Sequence, residues 1–294
     1  VLEIWRIDIS NTMKKVERDT PLFFAVQKFI HTVTDSRNST QFPGAHPVSI
    51  ERRHIPLLKT EQYVVCEKTD GQRYMLACLA HENVKYCVFV NRAFDMWMVS
   101  LCVPRNTLVD GEMVGDNLYL MYDGYMVSGE NIMSLNLIER LKRIETITRT
   151  PKMKIEVRMK TMWKLQSIPD ILKTHYPYKT DGLIFTPVNQ SVRLETHETM
   201  FKWKPLKEIT VDFKVLKKYG KYGLYVWDRG SYVYEADFQD DPSLENSIVE
   251  CRFDQGNWVF VKVRKDKPMP NNRRTFFRTL VNIKEDIQPS EFYT

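Results

Sequence analysis

The chain has 294 residues, of which 43% are apolar, so it can bury a substantial core and is expected to form two domains. Its formal charge of +6 suits an anionic ligand such as a nucleotide or an RNA end, although many proteins without such a partner are equally basic. The five cysteines show no C-x-x-C spacing, which excludes a zinc site of that kind and favours free thiols in a reducing, intracellular compartment. No run reaches the ~18 consecutive apolar residues of a membrane span, so no membrane partner is expected.

The first part of the chain predicts helix and loop, followed by a region rich in strands. The first forty residues are expected to be helical, with a helix from Pro21 to about Ile30 and a polar loop over residues 34–40. Gly115-Asp116-Asn117 between two apolar runs predicts a hairpin. The predicted strands in this part of the chain are Tyr63–Cys66, Tyr74–Cys78, Tyr86–Val90, Met96–Val99, Thr107–Val114 and Leu118–Tyr122.

The second part of the chain begins with helices and ends in short strands. Apolar residues at helical spacing predict a helix from an N-cap at Ser134 to Arg149, and a short helix is predicted near Ser167–Leu172. From about Lys207 the pattern is typical of a small barrel or sandwich. The strands predicted there are Val211–Phe213, Tyr222–Val226, Ser247–Cys251 and Trp258–Val263.

Lys68-Thr69-Asp70-Gly71-Gln72-Arg73, directly after the first apolar strand, is the most informative stretch. A lysine becomes a nucleophile when desolvation or neighbouring cations lower its pKa, and a pocket at a strand end can supply both. Gly71 is expected to take a positive φ that lets phosphates approach the backbone. A lone K-x-D-G also fits a surface lysine beside a turn, so other residues are needed to distinguish a nucleophile from a surface lysine.

A second set of residues strengthens the nucleophile hypothesis. Glu112 on a predicted hairpin strand suits a ribose hydroxyl or a magnesium ion, and Tyr122, expected to close the partner strand, suits stacking on a base. Lys179-Thr180-Asp181-Gly182 repeats the K-T-D-G pattern, with Asp181 as a candidate carboxylate for the metal or phosphate region. Each residue alone also fits a structural role, because glutamate is common at strand edges and Asp-Gly is a good turn.

Two clusters of cations follow. In Phe201-Lys202-Trp203-Lys204, alternation places the two lysines on one strand face, where they repel unless an anion such as a polyphosphate lies between them. Arg264, Lys265 and Lys267 follow the last predicted strand, and Arg273, Arg274 and Arg278 extend the basic character. These arginines suit RNA phosphates, but a solvated loop or helix end is the alternative.

The ordered series of motifs resembles the eukaryotic-type mRNA capping guanylyltransferases of the covalent nucleotidyltransferase superfamily, and most of all the compact capping enzymes of large DNA viruses of algae. The likeness spans almost the whole chain and is carried by Phe42–Arg52, Lys68–Arg73, Asn91-Arg92, Asp110-Gly111-Glu112, Tyr122-Asp123, Asp181–Ile184, Lys202–Pro205 and Arg264–Lys267. Asn91 stands where aspartate is usual and Tyr122 where phenylalanine is common.

The resemblance implies a role for each of these residues. Lys68 would attack the α-phosphorus of GTP, and Asp181, Lys202 and Lys204 would act at the α-phosphate and metal. The leaving pyrophosphate would be bound by Arg264, Asp266 and Lys267. The implied GTP-binding residues are Glu67, Asp70, Gly71, Arg73, Arg92, Glu112, Tyr122, Lys160 and Ile184, of which Arg73, Arg92 and Glu112 hold the ribose and Tyr122 and Ile184 sandwich the guanine.

The resemblance also implies an α+β fold in two domains with a cleft between them. Residues 1–206, joined by 285–294, would form a nucleotidyltransferase domain of antiparallel sheets and helices, and 207–284 an OB-fold β-barrel. The cofactor would be Mg²⁺ or Mn²⁺, with Asp181 as a ligand, and the substrates GTP and 5′-diphosphate RNA. The enzyme is expected to be a monomer in the nucleus or a viral replication compartment. RNA polymerase II's tail, an RNA triphosphatase and a cap methyltransferase on other chains are its expected partners.

Two other interpretations remain open at this point. An ATP-dependent polynucleotide ligase shares the lysine, glutamate and paired-lysine motifs, although the Pro-Gly lead-in and the Arg-x-Asp-Lys motif argue against it. A catalytically silent module of the same fold that binds RNA or polymerase is the second, although every expected catalytic residue type is present.

Overall fold

The computed structural model describes residues 13–36, 41–149, 154–239 and 241–294. Within them it has α-helices α1 (Pro21–Thr34), α2 (Ile55–Thr60), α3 (Leu137–Glu145), α4 (Ile168–Lys173) and α5 (Arg273–Glu285). The strands are β1 (Met13–Val16), β2 (His46–Ser49), β3 (Tyr63–Thr69), β4 (Gln72–His81), β5 (Val84–Val90), β6 (Met96–Val99), β7 (Thr107–Val114), β8 (Leu118–Val127), β9 (Glu130–Asn131), β10 (Glu156–Met159), β11 (Thr180–Pro187), β12 (Thr196–Trp203), β13 (Thr210–Lys218), β14 (Lys221–Asp228), β15 (Ser231–Asp237), β16 (Ile248–Asp254) and β17 (Asn257–Val263).

The strands form three sheets. The largest has the order β1-β6-β5-β4-β7-β8-β10, with β9 beside β8, and only its β8–β10 pair is recorded as parallel. A second sheet has the order β2-β12-β11-β3, and a third has the order β15-β14-β13-β16-β17 with antiparallel neighbours. The predicted α+β class with antiparallel sheets is confirmed. Among the described residues no strand pairing links β15 to β17, so the five-stranded sheet is not closed into a barrel by hydrogen bonds.

The chain divides into two compact units, which are described separately below. The first comprises Val1–Val48, Glu61–Thr180 and Ile184–Met200, and the second comprises Ser49–Thr60, Asp181–Leu183 and Phe201–Thr294.

In the first unit, β4 lies at the centre of the large sheet and is buried on both faces. Leu76 and Cys78 point into one core, and Met75 and Ala77 point into another. Since both faces of the strand are covered, its sequence is continuously apolar instead of alternating. Helix α3 closes the first core through Leu141 and Ile144, and α1 closes the second through Val26 and Ile30.

In the second unit, the five-stranded sheet packs one face on a core that helix α5 covers. Val211, Phe213 and Val215 of β13 alternate into this core, where Phe276 of α5 contacts Phe213 at a ring-centroid distance of 5.7 Å. Strand alternation therefore directs Asp212, Lys214, Leu216 and Lys218 to the opposite face of β13.

Most of the predicted elements are confirmed, but many of their predicted boundaries are wrong by several residues. Residues 13–16 form a strand rather than helix, since they pair with β6 at an edge that local pattern does not reveal. Strand β3 continues to Thr69, so Lys68 lies inside it, and β8 continues past Tyr122 to Val127. Helix α3 begins after Asn136, whose side chain accepts a hydrogen bond from the Glu139 N–H at 3.0 Å, so Asn136 and not Ser134 is the N-cap. Residues 37–40 of the predicted loop lie outside the described residues.

All five cysteines are free thiols, as predicted. No helix in the described ranges is long and apolar enough to cross a membrane.

Candidate active site

Strand β3 carries Lys68 in a half-buried position between two buried neighbours, Glu67 and Thr69. Cys66, two residues earlier, is fully enclosed, and burial raises the pKa of its thiol to about 11. That thiol therefore stays protonated at neutral pH and does not compete with Lys68 as a nucleophile.

The turn after β3 needs glycine for a reason other than the predicted one. Gly71 is not among the residues with positive φ, so that expectation is wrong. A Cβ at this position would lie 2.6 Å from the Met113 carbonyl oxygen and 2.8 Å from Glu112 Cγ. Gly71 thus lets β7 approach closely, and its N–H donates to Glu112 Oε1 at 3.3 Å.

Glu67 and Lys160 form a buried pair beside the nucleophile strand. Lys160 Nζ donates to the Glu67 carbonyl oxygen at 2.7 Å and lies 3.7 Å from Glu67 Oε1, with both side chains at most 4% exposed. Tyr178 donates its hydroxyl to the same Oε1 at 3.0 Å. In this structure Lys160 is therefore engaged with the backbone and carboxylate next to Lys68.

Asp110 organises the predicted ribose and base residues. Its carboxylate is 1% exposed and accepts Arg73 Nε at 3.0 Å and Arg73 Nη2 at 2.5 Å, a bidentate pair. The hydroxyls of Tyr122 and Tyr125 also donate to it, at 3.0 and 2.8 Å. Burial is the strongest single influence on the pKa of Arg73 and lowers it. The charge of Asp110, its hydrogen bonds and the nearby Tyr122 and Tyr125 together outweigh burial and raise that pKa. One carboxylate thereby fixes both Arg73 and the ring of Tyr122.

Arg92 lies in the turn after β5, near this network. Desolvation first, and then the positive charge of Arg73, lowers its pKa, while Tyr122, Asp110 and Glu112 act in the opposite direction. Arg92 is therefore coupled electrostatically to Arg73, Tyr122 and Glu112. Of these predicted GTP-binding residues, Arg73 and Tyr122 contact Asp110 directly, and Glu112 lies opposite Arg73 in the register of β4 and β7.

The two K-T-D-G strings meet each other in the first unit. Lys179 Nζ forms an ion pair with Asp70 Oδ2 at 2.9 Å, and the Asp70 N–H donates to the Lys179 carbonyl oxygen at 2.9 Å. Asp70 thus links the turn after β3 to the residue before β11, and the predicted turn at Asp181-Gly182 is wrong because both residues lie in β11. Ile184 is half-buried on β11.

In the second unit, the predicted alternation along β12 is confirmed. Phe201 and Trp203 are buried, whereas Lys202 and Lys204 are half-exposed. Lys204 Nζ lies 2.5 Å from Asp181 Oδ2, and the Asp181 side chain is 7% exposed.

Gly182 of β11 lies directly against the backbone at the end of β12. Its φ is +152°, and a Cβ would lie 1.9 Å from the Trp203 carbonyl oxygen. We expect Gly182→Ala to lower the free energy of unfolding by about 3 kcal/mol, because neither backbone can move away. Urea unfolding of the apoprotein measures this. Gly220→Ala, at φ +79° with no atom within 4 Å, is the matched control and should cost about 1 kcal/mol. Equal costs would show that the close approach is unimportant.

A cleft of about 320 Å³ in the second unit is lined by four cations. Lys202 lies on β12 and Lys204 directly follows it, whereas Arg264 and Lys267 follow β17. Asp212, Asn271 and Trp203 also line the cleft. Positive side chains that face one small volume suit an anion with several charges, such as a polyphosphate.

Asp212 holds the two cations that follow β17. This carboxylate is 4% exposed and accepts Arg264 Nη1 at 3.1 Å and a hydrogen bond from Lys267 Nζ. Arg264 also contacts Glu250 at 3.2 Å and pairs with the exposed Asp266 through Nε at 2.9 Å and Nη2 at 2.8 Å. The hydrogen bond to Asp266, followed by nearby carboxylates, raises the pKa of Arg264, although burial opposes it. Arg264 therefore stays charged and preorganised.

The residues of the site fit a divalent cation that is bound jointly by the protein and a nucleotide. Among the described residues no group of three or more His, Cys, Asp or Glu side chains could hold a metal ion. Mg²⁺ commonly binds through one or two carboxylates together with substrate phosphates and water. The single carboxylate of Asp181 fits a metal brought in on a nucleotide, rather than a metal held by the protein alone.

Sequence reasoning missed Asp110 and Asp212 as organising residues. Both are single carboxylates inside strands whose neighbours are apolar, in Leu108-Val109-Asp110 and Val211-Asp212-Phe213. A buried carboxylate is rare unless it is paired, so this pattern was the available signal.

Comparisons with known proteins agree with the order of these elements. Residues 9–206 match the family model of the mRNA capping enzyme catalytic domain, and residues 184–293 match that of the mRNA capping enzyme C-terminal domain. An mRNA-capping enzyme of Danio rerio is 31% identical over 84% of this chain and 48% of its own length. An mRNA-capping enzyme of Mus musculus is 30% identical over 84% of this chain and 48% of its own length. An mRNA-capping enzyme subunit alpha of Schizosaccharomyces pombe is 27% identical over 85% of this chain and 78% of its own length.

The chain spans about half the length of the two animal relatives. A solved structure from a study of Lig E DNA ligases is 12% identical over 76% of this chain and 99% of its own length. Its TM-score of 0.42 is too low to support an argument about function. The match of the catalytic-domain model to more than half of the residues decides the family. The chain belongs to the mRNA capping enzyme family.

Proposed function

We propose that this protein is an mRNA guanylyltransferase that works through a covalent lysyl-N-GMP intermediate. Neutral Lys68 Nζ attacks the α-phosphorus of GTP, a P–N bond forms, the bond to the bridging oxygen breaks, and pyrophosphate leaves while the amine loses a proton. The terminal phosphate oxygen of 5′-diphosphate RNA then attacks the same phosphorus. The P–N bond breaks as its nitrogen regains a proton, which regenerates the lysine amine and forms the GpppN cap.

The observation that carries the proposal is the cation-lined cleft of the second unit. Phosphoryl transfer depends on positioning and charge neutralisation more than on new covalent chemistry, so Lys202, Lys204, Arg264 and Lys267 are suitable side chains. We propose that Lys202, Lys204 and Asp181 act at the α-phosphate, and that Arg264, Asp266 and Lys267 orient the leaving pyrophosphate. The Asp212 carboxylate releases Arg264 and Lys267 to the more highly charged ligand when it arrives.

We propose that the Asp110 network receives the nucleoside. Arg73, Arg92 and Glu112 bind the ribose, and the guanine lies between Tyr122 and Ile184. The hydrogen bond from Tyr122 to Asp110 leaves the face of its ring for stacking. Glu67, Asp70, Gly71 and Lys160 complete the nucleotide site around the strand of Lys68.

We propose that Asp181 binds the divalent cation, Mg²⁺ or Mn²⁺, together with the phosphates. When bound, that ion supplies further neutralisation of the triphosphate charge. The lysines and arginines of the cleft remain the groups that hold the anion in place.

Incubation with Mg²⁺ and either α-labelled GTP or α-labelled ATP tests the proposed function. We expect label from GTP only to remain on the denatured protein, and to be released to 5′-diphosphate RNA as a cap. Label from ATP alone would assign the chain to the polynucleotide ligases, and no label from either nucleotide would favour a silent binding module. Either result overturns the proposal.

Several finer features remain our proposals. The likeness of the motifs to those of algal-virus enzymes supports a closest kinship with them, and hence action in the nucleus or a viral replication compartment. We propose a monomer that receives RNA from a triphosphatase, passes it to a cap methyltransferase and docks on the RNA polymerase II tail.

We also propose a nucleotidyltransferase domain of residues 1–206 and an OB-fold domain of 207–284. Residues 285–294 would join the first domain. Trp203 supports the joining of residues 285–294 to β12, because its indole N–H donates to the Ile287 carbonyl oxygen at 2.8 Å and its ring centroid lies 6.0 Å from that of Phe292.

A further inference from the structure

The hairpin of β13 and β14 ends in a tip whose sequence is unfavourable for folding. Tyr219 and Gly220 form its two-residue connection with φ of +51° and +79°. Such turns favour Asn-Gly, since a large side chain in the left-handed region is strained. The Tyr219 side chain is fully exposed, so its ring gains no burial in return.

The charges at the tip add to this cost. Lys218 and Lys221 are directly opposite each other in the hairpin register, and both are exposed. Like charges in this position repel unless an anion lies between them. An exposed strained tyrosine beside two facing lysines indicates a ligand with negative charge and flat rings.

The same sheet face continues as a layer of aromatic rings. Gly223 leaves room on this face, and the rings of Tyr225 and Tyr234 fill it, with atoms 3.0 and 2.9 Å from where a Cβ would lie. Their centroids are 5.7 Å apart, and Lys218 Nζ lies 4.9 Å from the Tyr225 centroid. Tyr234 is 50% exposed and donates its hydroxyl to Asp237 at 2.7 Å, which fixes its ring.

This surface is continuous with the cation-lined cleft. Asp212, which lines the cleft, lies on the same face of β13 as Lys214 and Lys218. The six-residue step from Asp212 to Lys218 spans about 20 Å of extended strand. A linear anion with one end in the cleft can therefore follow β13 to the hairpin tip.

We infer that one exposed surface, the lysine–tyrosine face, binds the single-stranded RNA that follows the 5′ end. It is formed by Lys214, Lys218, Tyr219, Lys221 and Tyr234, with the buried ring of Tyr225 beneath it. The inference rests on the proposed function, in which the RNA diphosphate enters the cleft. The lysines pair with phosphates, and bases stack on Tyr219 and Tyr234, which is a sequence-tolerant mode of binding.

The test compares a long 5′-diphosphate RNA with a dinucleotide that carries the same end. Tyr219→Asn should weaken binding of the long RNA about tenfold and leave the dinucleotide unchanged, because one stacking platform is lost. The melting temperature should not fall, since Asn suits the turn better than Tyr. Lys218→Ala with Lys221→Ala should reduce the slope of log Kd against log salt by about 1.4 for the long RNA.

Two matched controls lie on helix α1. Phe24→Ala removes an exposed aromatic ring, 52% exposed as Tyr234 is 50% exposed, and Lys28→Ala removes an exposed lysine. Neither should change RNA binding. Unchanged affinity of the hairpin variants for long RNA would overturn the inference. The lysine–tyrosine face would then bind a protein partner or have no ligand. A fall in melting temperature together with equal losses for both RNAs would also overturn the inference, because it would indicate a structural role.

GTP labelling without RNA separates this inference from the proposed function. The hairpin variants should label as well as the parent protein. If the parent labels but long RNA binds every variant equally, only the lysine–tyrosine face is wrong. If the parent protein is not labelled by GTP but its binding of long RNA still depends on Tyr219, the inference about the lysine–tyrosine face holds and the proposed guanylyl transfer is wrong.

Discussion

Replacing Lys68 by arginine is expected to reduce covalent labelling by GTP by at least about 10³-fold, because the attacking atom itself is removed. Arginine keeps the positive charge and similar length, but its guanidinium does not lose a proton in proteins and so offers no amine lone pair. Binding of GTP should change far less than labelling, since the other proposed nucleotide-binding residues are unchanged. Intact mass measurement after reaction with GTP, followed by peptide mapping, gives the extent and position of the adduct.

Lys179→Arg is the matched control for this prediction. Lys179 heads the second K-T-D-G string, and its ion pair with Asp70 can be kept by arginine. This variant should label at close to the parental rate. An adduct that persists in Lys68→Arg, or that maps to Lys179, would contradict the assignment of the nucleophile.

The nucleophile strand and the strand of paired lysines could be predicted because their signals are local. Tyr63-Val64-Val65-Cys66 is an apolar run of strand length, and alternation in Phe201–Lys204 decides which side chains are buried without knowledge of any partner. The boundaries were harder. Strand β1 pairs with β6, which is remote in sequence, so its own residues do not reveal it. The N-cap of α3 was hard to choose because Ser134 and Asn136, both good capping residues, lie two positions apart, and the structure shows Asn136 in this role.

The organising carboxylates could not be assigned from sequence, since their partners are remote. Asp110 is 37 residues from Arg73, and Asp212 is 52 residues from Arg264. The motifs predict which residues carry the chemistry, but the carboxylates that contact those residues are seen only in the folded structure. A charged residue inside an apolar strand is the general signal that such a partner exists.

Asp110→Asn is expected to lower the free energy of unfolding by about 3–5 kcal/mol, because it leaves the Arg73 cation buried without its counter-ion. The amide also cannot accept all four hydrogen bonds that the carboxylate receives from Arg73, Tyr122 and Tyr125. GTP labelling should need a higher GTP concentration, since Arg73 and Tyr122 lose their fixed positions. Urea unfolding without nucleotide and the GTP dependence of labelling measure the two effects.

A double-mutant cycle separates the buried charge from the simple loss of hydrogen bonds. Tyr125→Phe removes one donor to Asp110 and should cost only about 1 kcal/mol. Arg73→Met combined with Asp110→Asn should be more stable than Asp110→Asn alone, because no buried charge is then left unpaired. If the second substitution instead adds its full cost to the first, the two side chains act independently, and Asp110 does not hold Arg73 through its charge. Nucleotide binding should not recover in the double variant, since Arg73 is itself a proposed ribose ligand.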